Sequence, residues 1–173
     1  MARRSLDELI LRVINFYPPY LGAGIRVVHR KGDAFTFHVE MALRFYNRNA
    51  FGTQFGGSLY AMCDPFYCFL LLRHLGRERF VVWDKAASIE FRRPGKGRVF
   101  ARFHIPPETV EAIRLQAETG AKVEPVLETD VFDVASGEVV AHVVKTLYVR
   151  KKRDSGGATA DPGAAPDPPK NRA

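Results

Sequence analysis

Residues 55–75 read FGGSLYAMCDPFYCFLLLRHL, and the interpretation of the whole chain turns on this stretch. From Ser58 to Arg73 it is apolar almost all the way round, the composition of a helix buried on every side. The uninterrupted run is about 14 residues, short of the roughly 20 needed to cross a membrane, and it contains Asp64 and Pro65. It therefore predicts a core helix with no membrane span. Gly57, Ala61, Asp64 and Cys68 fall three and four residues apart and share one face, with Tyr60 and Tyr67 flanking it. A carboxylate on such a face is costly unless paired or hydrogen-bonded, so Asp64 should have either a structural partner or a chemical role. The apolar surroundings should also raise its pKa. Pro65 offers no N–H to the carbonyl of Ala61, which predicts a kink or hydration beside Asp64. At the other end Gly56 and Gly57 open the helix, where backbone N–H groups lack acceptors and could hold an oxygen.

Outward from this helix the pattern changes period. Leu6, Leu9, Ile10, Val13, Ile14 and Phe16 recur at helical spacing until Pro18 and Pro19, which predicts a short amphipathic helix. Ile25 to His29 and Phe35 to Leu43 read as a hairpin turning at Lys31, Gly32 and Asp33. In its second strand Phe35, Phe37, Val39, Met41 and Leu43 face the core, while Thr36, His38 and Glu40 take the wetter face. Arg44 to Gln54 has no period and reads as a loop. A second hairpin is expected from Val81–Arg92 and Arg98–Ile105, turning at Pro94 to Gly97. A helix or an ordered excursion with Pro at its start follows over Pro107–Gly120, using Val110, Ile113 and Leu115. Pro125–Val134 and Glu138–Arg150 then close round Ala135 to Gly137. From Asp154 the chain holds no large apolar residue and should be disordered. The expected division is one domain over 1–150 and a tail over 151–173, basic at first and then rich in Pro, Gly and Ala.

The 173 residues carry a formal net charge of +7. Five Lys or Arg against three Asp lie from Lys151 onward, so the domain itself is only about +5. No basic cluster precedes Lys151, which argues against nucleic acid and leaves an anionic ligand compatible. Cys63 and Cys68 are spaced to leave different sides of a helix, so neither a disulfide nor a metal site is expected. Free buried thiols suit a reducing compartment, and Met1–Asp7 is not followed by an apolar signal core. Cytoplasm is the expected location.

The order of elements, a hairpin, a loop, a Gly-Gly helix buried along its length and further antiparallel strands, resembles the hotdog fold over about Leu21 to Arg150. Asn49, Gly52, Thr53, Gly56, Gly57 and Asp64 also match the spacing in acyl-CoA thioesterases of the phenylacetyl-CoA type. Those enzymes carry Asn, Gly-Thr, His-Gly-Gly and then an acidic residue two turns on. The stretches Asn47–Asp64 and Trp83–Pro94 resemble an uncharacterised bacterial branch of that superfamily. One position departs: Phe55 stands where the pattern has His, which removes a polar group from the mouth of the site.

The resemblance implies an α+β hotdog domain, an antiparallel curved sheet wrapped round one long buried helix. It also implies an acyl-CoA (acyl thioester) hydrolase whose site is shared between two subunits of a homodimer or dimer of dimers. Coenzyme A would enter as part of the substrate, with no separate cofactor. Asp64 would act as base or nucleophile, the Gly57 N–H would polarise the carbonyl, and Asn49 from the partner's loop would orient water or carboxylate. Phe55, Gly56, Tyr60, Tyr67, Lys85 and Ser88 are the candidate substrate contacts. Plainer readings stay open: Asn49 as a loop cap, Tyr60 and Tyr67 as core, and Lys85 with Asp84 as a structural pair or dimer contact. The alternative function is a non-catalytic acyl-thioester-binding or regulatory hotdog protein.

Overall fold

The computed structural model describes residues 13–28 and 34–152. The expected helix before Val13, the turn at Lys31 to Asp33 and the tail beyond Lys152 lie outside them. A short 3-10 turn, Ile14–Phe16, leads into α1, Pro18–Ala23, and then into strand β1, Ile25–Val28. Pro18 and Pro19 thus open a helix, where their fixed φ fits and no N–H is needed. Next come β2, Thr36–Met41, and two consecutive helices, α2, Gly56–Ala61, and α3, Phe66–Leu75. They are followed by β3, Phe80–Phe91, β4, Val99–His104, and α4, Pro107–Glu118. Strands β5, Val126–Asp133, and β6, Val139–Lys151, complete the fold.

The strands form one six-stranded antiparallel sheet in the order β1-β2-β4-β5-β6-β3. Around the central helix collect Phe66, Leu70 and Leu71, with Met41, Phe103, Val131, Val143 and Leu147 from the strands, all buried. The β5–β6 hairpin is as expected, and β6 extends one residue past 150. The β3–β4 hairpin is not. β3 pairs with β6 at one edge, while β4 lies between β2 and β5. Turn residues at Pro94 to Gly97 reverse the chain, but the partner of each strand is chosen by which apolar faces meet.

Two further expectations give way to tertiary packing. Thr36 and His38, assigned to the wetter face of β2, are buried because β4 lies alongside. Thr36 hydrogen-bonds the His104 ring at 2.8 Å, and the His38 ring stacks on Phe100. In α4, Val110, Ile113 and Ala117 face inward while Leu115 is exposed. The long central helix breaks beside Asp64, where Pro65 predicts a kink. Ala61 ends α2 with its carbonyl accepting from Asp64 N at 3.2 Å, and Pro65, lacking an N–H, marks the restart into α3.

Candidate functional site

The interruption leaves Asp64 between two helices instead of inside one. Its side chain is 47% exposed, so it reaches solvent, and one oxygen lies 2.8 Å from Lys145 Nζ. Lys145 is 1% exposed and stands in the strict inward register of β6, with Ala141, Val143, Leu147 and Val149. Its ammonium also lies 2.9 Å from Asp84 Oδ2 and 5.3 Å from the centre of the Tyr60 ring. Asp84 owes its position to a bulge: the β3–β6 register slips between Asp84 and Ala86, leaving Lys85 as the extra residue. Lys85 itself turns outward to Glu124 at 2.7 Å. The expected Lys85–Asp84 pair is therefore replaced by two separate ion pairs.

One ammonium held by two carboxylates fixes the charges. Burial alone would pull the Lys145 pKa down, but hydrogen bonds to Asp64 and Asp84 outweigh it and keep the ammonium charged. Burial pushes Asp84 up to about 6, assisted by its hydrogen bond with Asp64 and opposed by Lys145. Burial also acts upward on Asp64, yet hydrogen bonds with Asp84 and Lys145 hold that carboxyl below the usual range. The expectation that the apolar helix raises the Asp64 pKa is corrected by Asp84 and Lys145, two strand residues distant in the chain. Burial pushes the Cys63 thiol up to about 12, so it is protonated at neutral pH and a poor nucleophile.

The remaining candidates take distinct places. Gly56 and Gly57 begin α2, and the N–H groups that follow them, Ser58 and Leu59, both donate to the Phe55 carbonyl at 3.0 Å. Phe55 is 56% exposed and its ring lies over Gly57, where an added Cβ would meet it at 2.5 Å. Tyr67 is buried in the core and donates to the Glu128 carbonyl at 2.5 Å, and Tyr60 is half-buried beside Lys145. Ser88 is exposed on β3.

Asn49 is committed to its own loop. Its Nδ2 donates to Thr53 Oγ1 and the Gln54 carbonyl, and its Oδ1 accepts from Phe51 N and Thr53 N, at 3.0 to 3.2 Å. Gln54, which the sequence marked only as a loop end, anchors that loop: it is buried, with Nε2 2.9 Å from the Gly97 carbonyl. Asp64, Ala61, Pro65 and Phe69 open onto a cleft of about 700 Å³ shared with the segment before β1. Among the described residues no cluster of His, Cys, Asp and Glu could hold a metal ion.

Lys145 and the true role of Asp84 escaped the sequence reading. Their signal was present in part: a lysine that falls in step with Val143, Leu147 and Val149 sits on the apolar register of its strand.

Residues 7–149 match a family described as a domain of unknown function, DUF4442. The chain belongs to this family. No match is found among curated proteins. The DUF4442 chain shares its fold with solved structures at low identity. A Pseudomonas aeruginosa protein of unknown function, described as a probable thioesterase, is 23% identical with a TM-score of 0.74, covering 84% of this chain and 95% of that one. A protein of unknown function from Chlorobaculum tepidum is 18% identical with a TM-score of 0.67, covering 85% and 95%. A Haemophilus influenzae thioesterase is 15% identical with a TM-score of 0.58, covering 88% and 92%. The DUF4442 domain is thus an α+β hotdog fold.

Proposed function

We propose that the protein hydrolyses an acyl thioester, with coenzyme A as the carrier and Asp64 as the reacting carboxylate. The observation that carries this reading is Asp64 itself, held ionised by buried Lys145 at the wall of an apolar cleft. A lowered pKa makes a weak base, which favours attack by the carboxylate on the thioester carbon over proton abstraction from water. In that route the C–S bond breaks with its electron pair going to sulfur, and the thiolate takes a proton from solvent. Water then cleaves the acyl–aspartyl anhydride, releasing the acid and returning Asp64. The Gly57 N–H is the donor assigned to the carbonyl oxygen, and Phe55, Gly56 and Tyr60 border the approach. The thioesterase descriptions of fold relatives support the same class.

Two copies pairing through β3 are part of the proposal. Among the described residues β3 is a long edge strand paired only with β6, and its Lys85 to Ser88 segment is exposed. Such an edge invites a further strand. The Asn49 loop would then face the partner's helix, with Asn49 shaping the loop. The free thiols of Cys63 and Cys68 suit a cytoplasmic setting.

A second reading, a non-catalytic acyl-thioester binder, draws on Phe55, which puts an exposed ring where the resembling enzymes carry His. The two separate on an acyl-CoA panel assayed with wild type and Asp64→Asn. Turnover lost in the variant supports hydrolysis. Binding without turnover, unchanged by the substitution, supports the binder.

A further inference from the structure

The segment before β1 is locked against the break in the central helix. Asn15 exchanges two hydrogen bonds with the Val27 backbone, its Nδ2 donating at 3.1 Å and its Oδ1 accepting at 2.7 Å. The Tyr20 hydroxyl donates to the backbone carbonyl of Asp64, and its ring packs on Phe66. Between this strap and the helices lies the cleft of about 700 Å³, within the range usual for small-molecule sites. Val13, Phe16, Tyr17, Tyr20 and Phe69 give it apolar and aromatic walls, and Asp64 is the charged side chain that lines it. Phe16 is 73% exposed and Tyr17 53%, so large apolar surface is left in water beside a carboxylate. Isolated exposed apolar residues are ordinary; several converging on one concave site mark a ligand surface.

We propose that this cleft holds the acyl chain of the substrate, so that the strap before β1 sets chain-length preference for long apolar acyl groups over short or polar ones. The inference rests on the hydrolase reading for the identity of the ligand, but not for its binding. A wall pinned at Asn15 and Tyr20 is preformed, so a chain entering it loses little to ordering the protein. A thioester carbonyl at the cleft's charged side would meet Asp64 while the hydrocarbon lies along the aromatic walls.

The test uses S-alkyl coenzyme A thioethers from ethyl to dodecyl, which have no carbonyl to hydrolyse, titrated into the full chain by calorimetry. Each methylene that enters the cleft should tighten binding roughly fourfold until the cleft is filled. Phe16→Ser and Tyr17→Ala, both on exposed positions outside the core, should each weaken the dodecyl compound at least fivefold and the ethyl compound less than twofold. Ala61→Phe, which fills the cleft from the helix side, should do so more strongly. Affinity independent of chain length, or a chain-length slope that none of the three variants changes, overturns the proposal. So does binding that appears only after residues 1–12 are removed, which would assign the cleft to the chain's own leading segment. Asp64→Asn should keep the chain-length slope. If that slope stands while wild type turns over no acyl-CoA, the hydrolase reading fails and this one holds.

Discussion

Lys145 Nζ lies 2.8 Å from Asp64 Oδ1 across a separation of 81 residues, joining the inner face of β6 to the break between α2 and α3. The same ammonium binds Asp84 at 2.9 Å, so a single buried cation bridges two carboxylates whose pKa values move apart, Asp84 raised chiefly by burial and Asp64 held low by hydrogen bonds with Asp84 and Lys145.

Removing the carboxylate proposed to react is the first test. Asp64→Ala should lower kcat by a factor of roughly 10² to 10⁴ with little change in KM, the pattern of a group engaged in the transition state. Asn49→Ala should cost less, since its amide serves the loop. Full thioesterase activity in a folded Asp64→Ala protein would make Asp64 structural.

Lys145→Met should destabilise the fold by about 2–4 kcal/mol at pH 7.5, because two carboxylates are left close together without their cation. Acid relieves that repulsion by protonating one of them. The deficit, measured by urea unfolding, should therefore shrink at pH 5. An equal deficit at both values would mean that lost packing of the lysine stem dominates.

Asp84 gives a pH signature of its own. Its folded pKa of about 6 lies above the unfolded carboxylate value, so between about pH 4 and pH 6 the native state holds a proton that the unfolded state has lost. Ionising it in the folded protein costs free energy, and this contribution to stability should fall by on the order of 2 kcal/mol as pH rises through that window. Asp64, with its pKa lowered, acts oppositely: its contribution is present above the ordinary carboxylate value and lost at lower pH. Asp84→Asn should remove the downward slope between pH 4.5 and 6.5 in the unfolding midpoint. A slope unchanged in the variant would place the proton elsewhere.

Light scattering tests the edge strand. Wild type should behave as a dimer or larger at micromolar concentration, and Ala87→Asp, a charge in the exposed middle of β3, should raise the monomer fraction. A wild-type monomer would remove the shared-site arrangement.

Local chemistry made much of this protein legible in its sequence. The largely apolar character of the run between Ser58 and Arg73 pointed to a helix in the core, and Pro65 to a kink beside Asp64, because both are local signals in the chain itself. The β5–β6 hairpin could be read because its strands are neighbours in sequence and pair across a short turn. What lay beyond reach was pairing at a distance. The sequence around Pro94 says that the chain turns, but not that β3 crosses to the far edge beside β6 while β4 enters between β2 and β5. The site followed the same division. A carboxylate on a buried helix face was visible as a candidate, whereas the direction of its pKa depended on Asp84, which the bulge at Lys85 brings into place, and on Lys145, which the β6 register does. Electrostatic energy depends on distance in space, and here that distance was decided by tertiary packing.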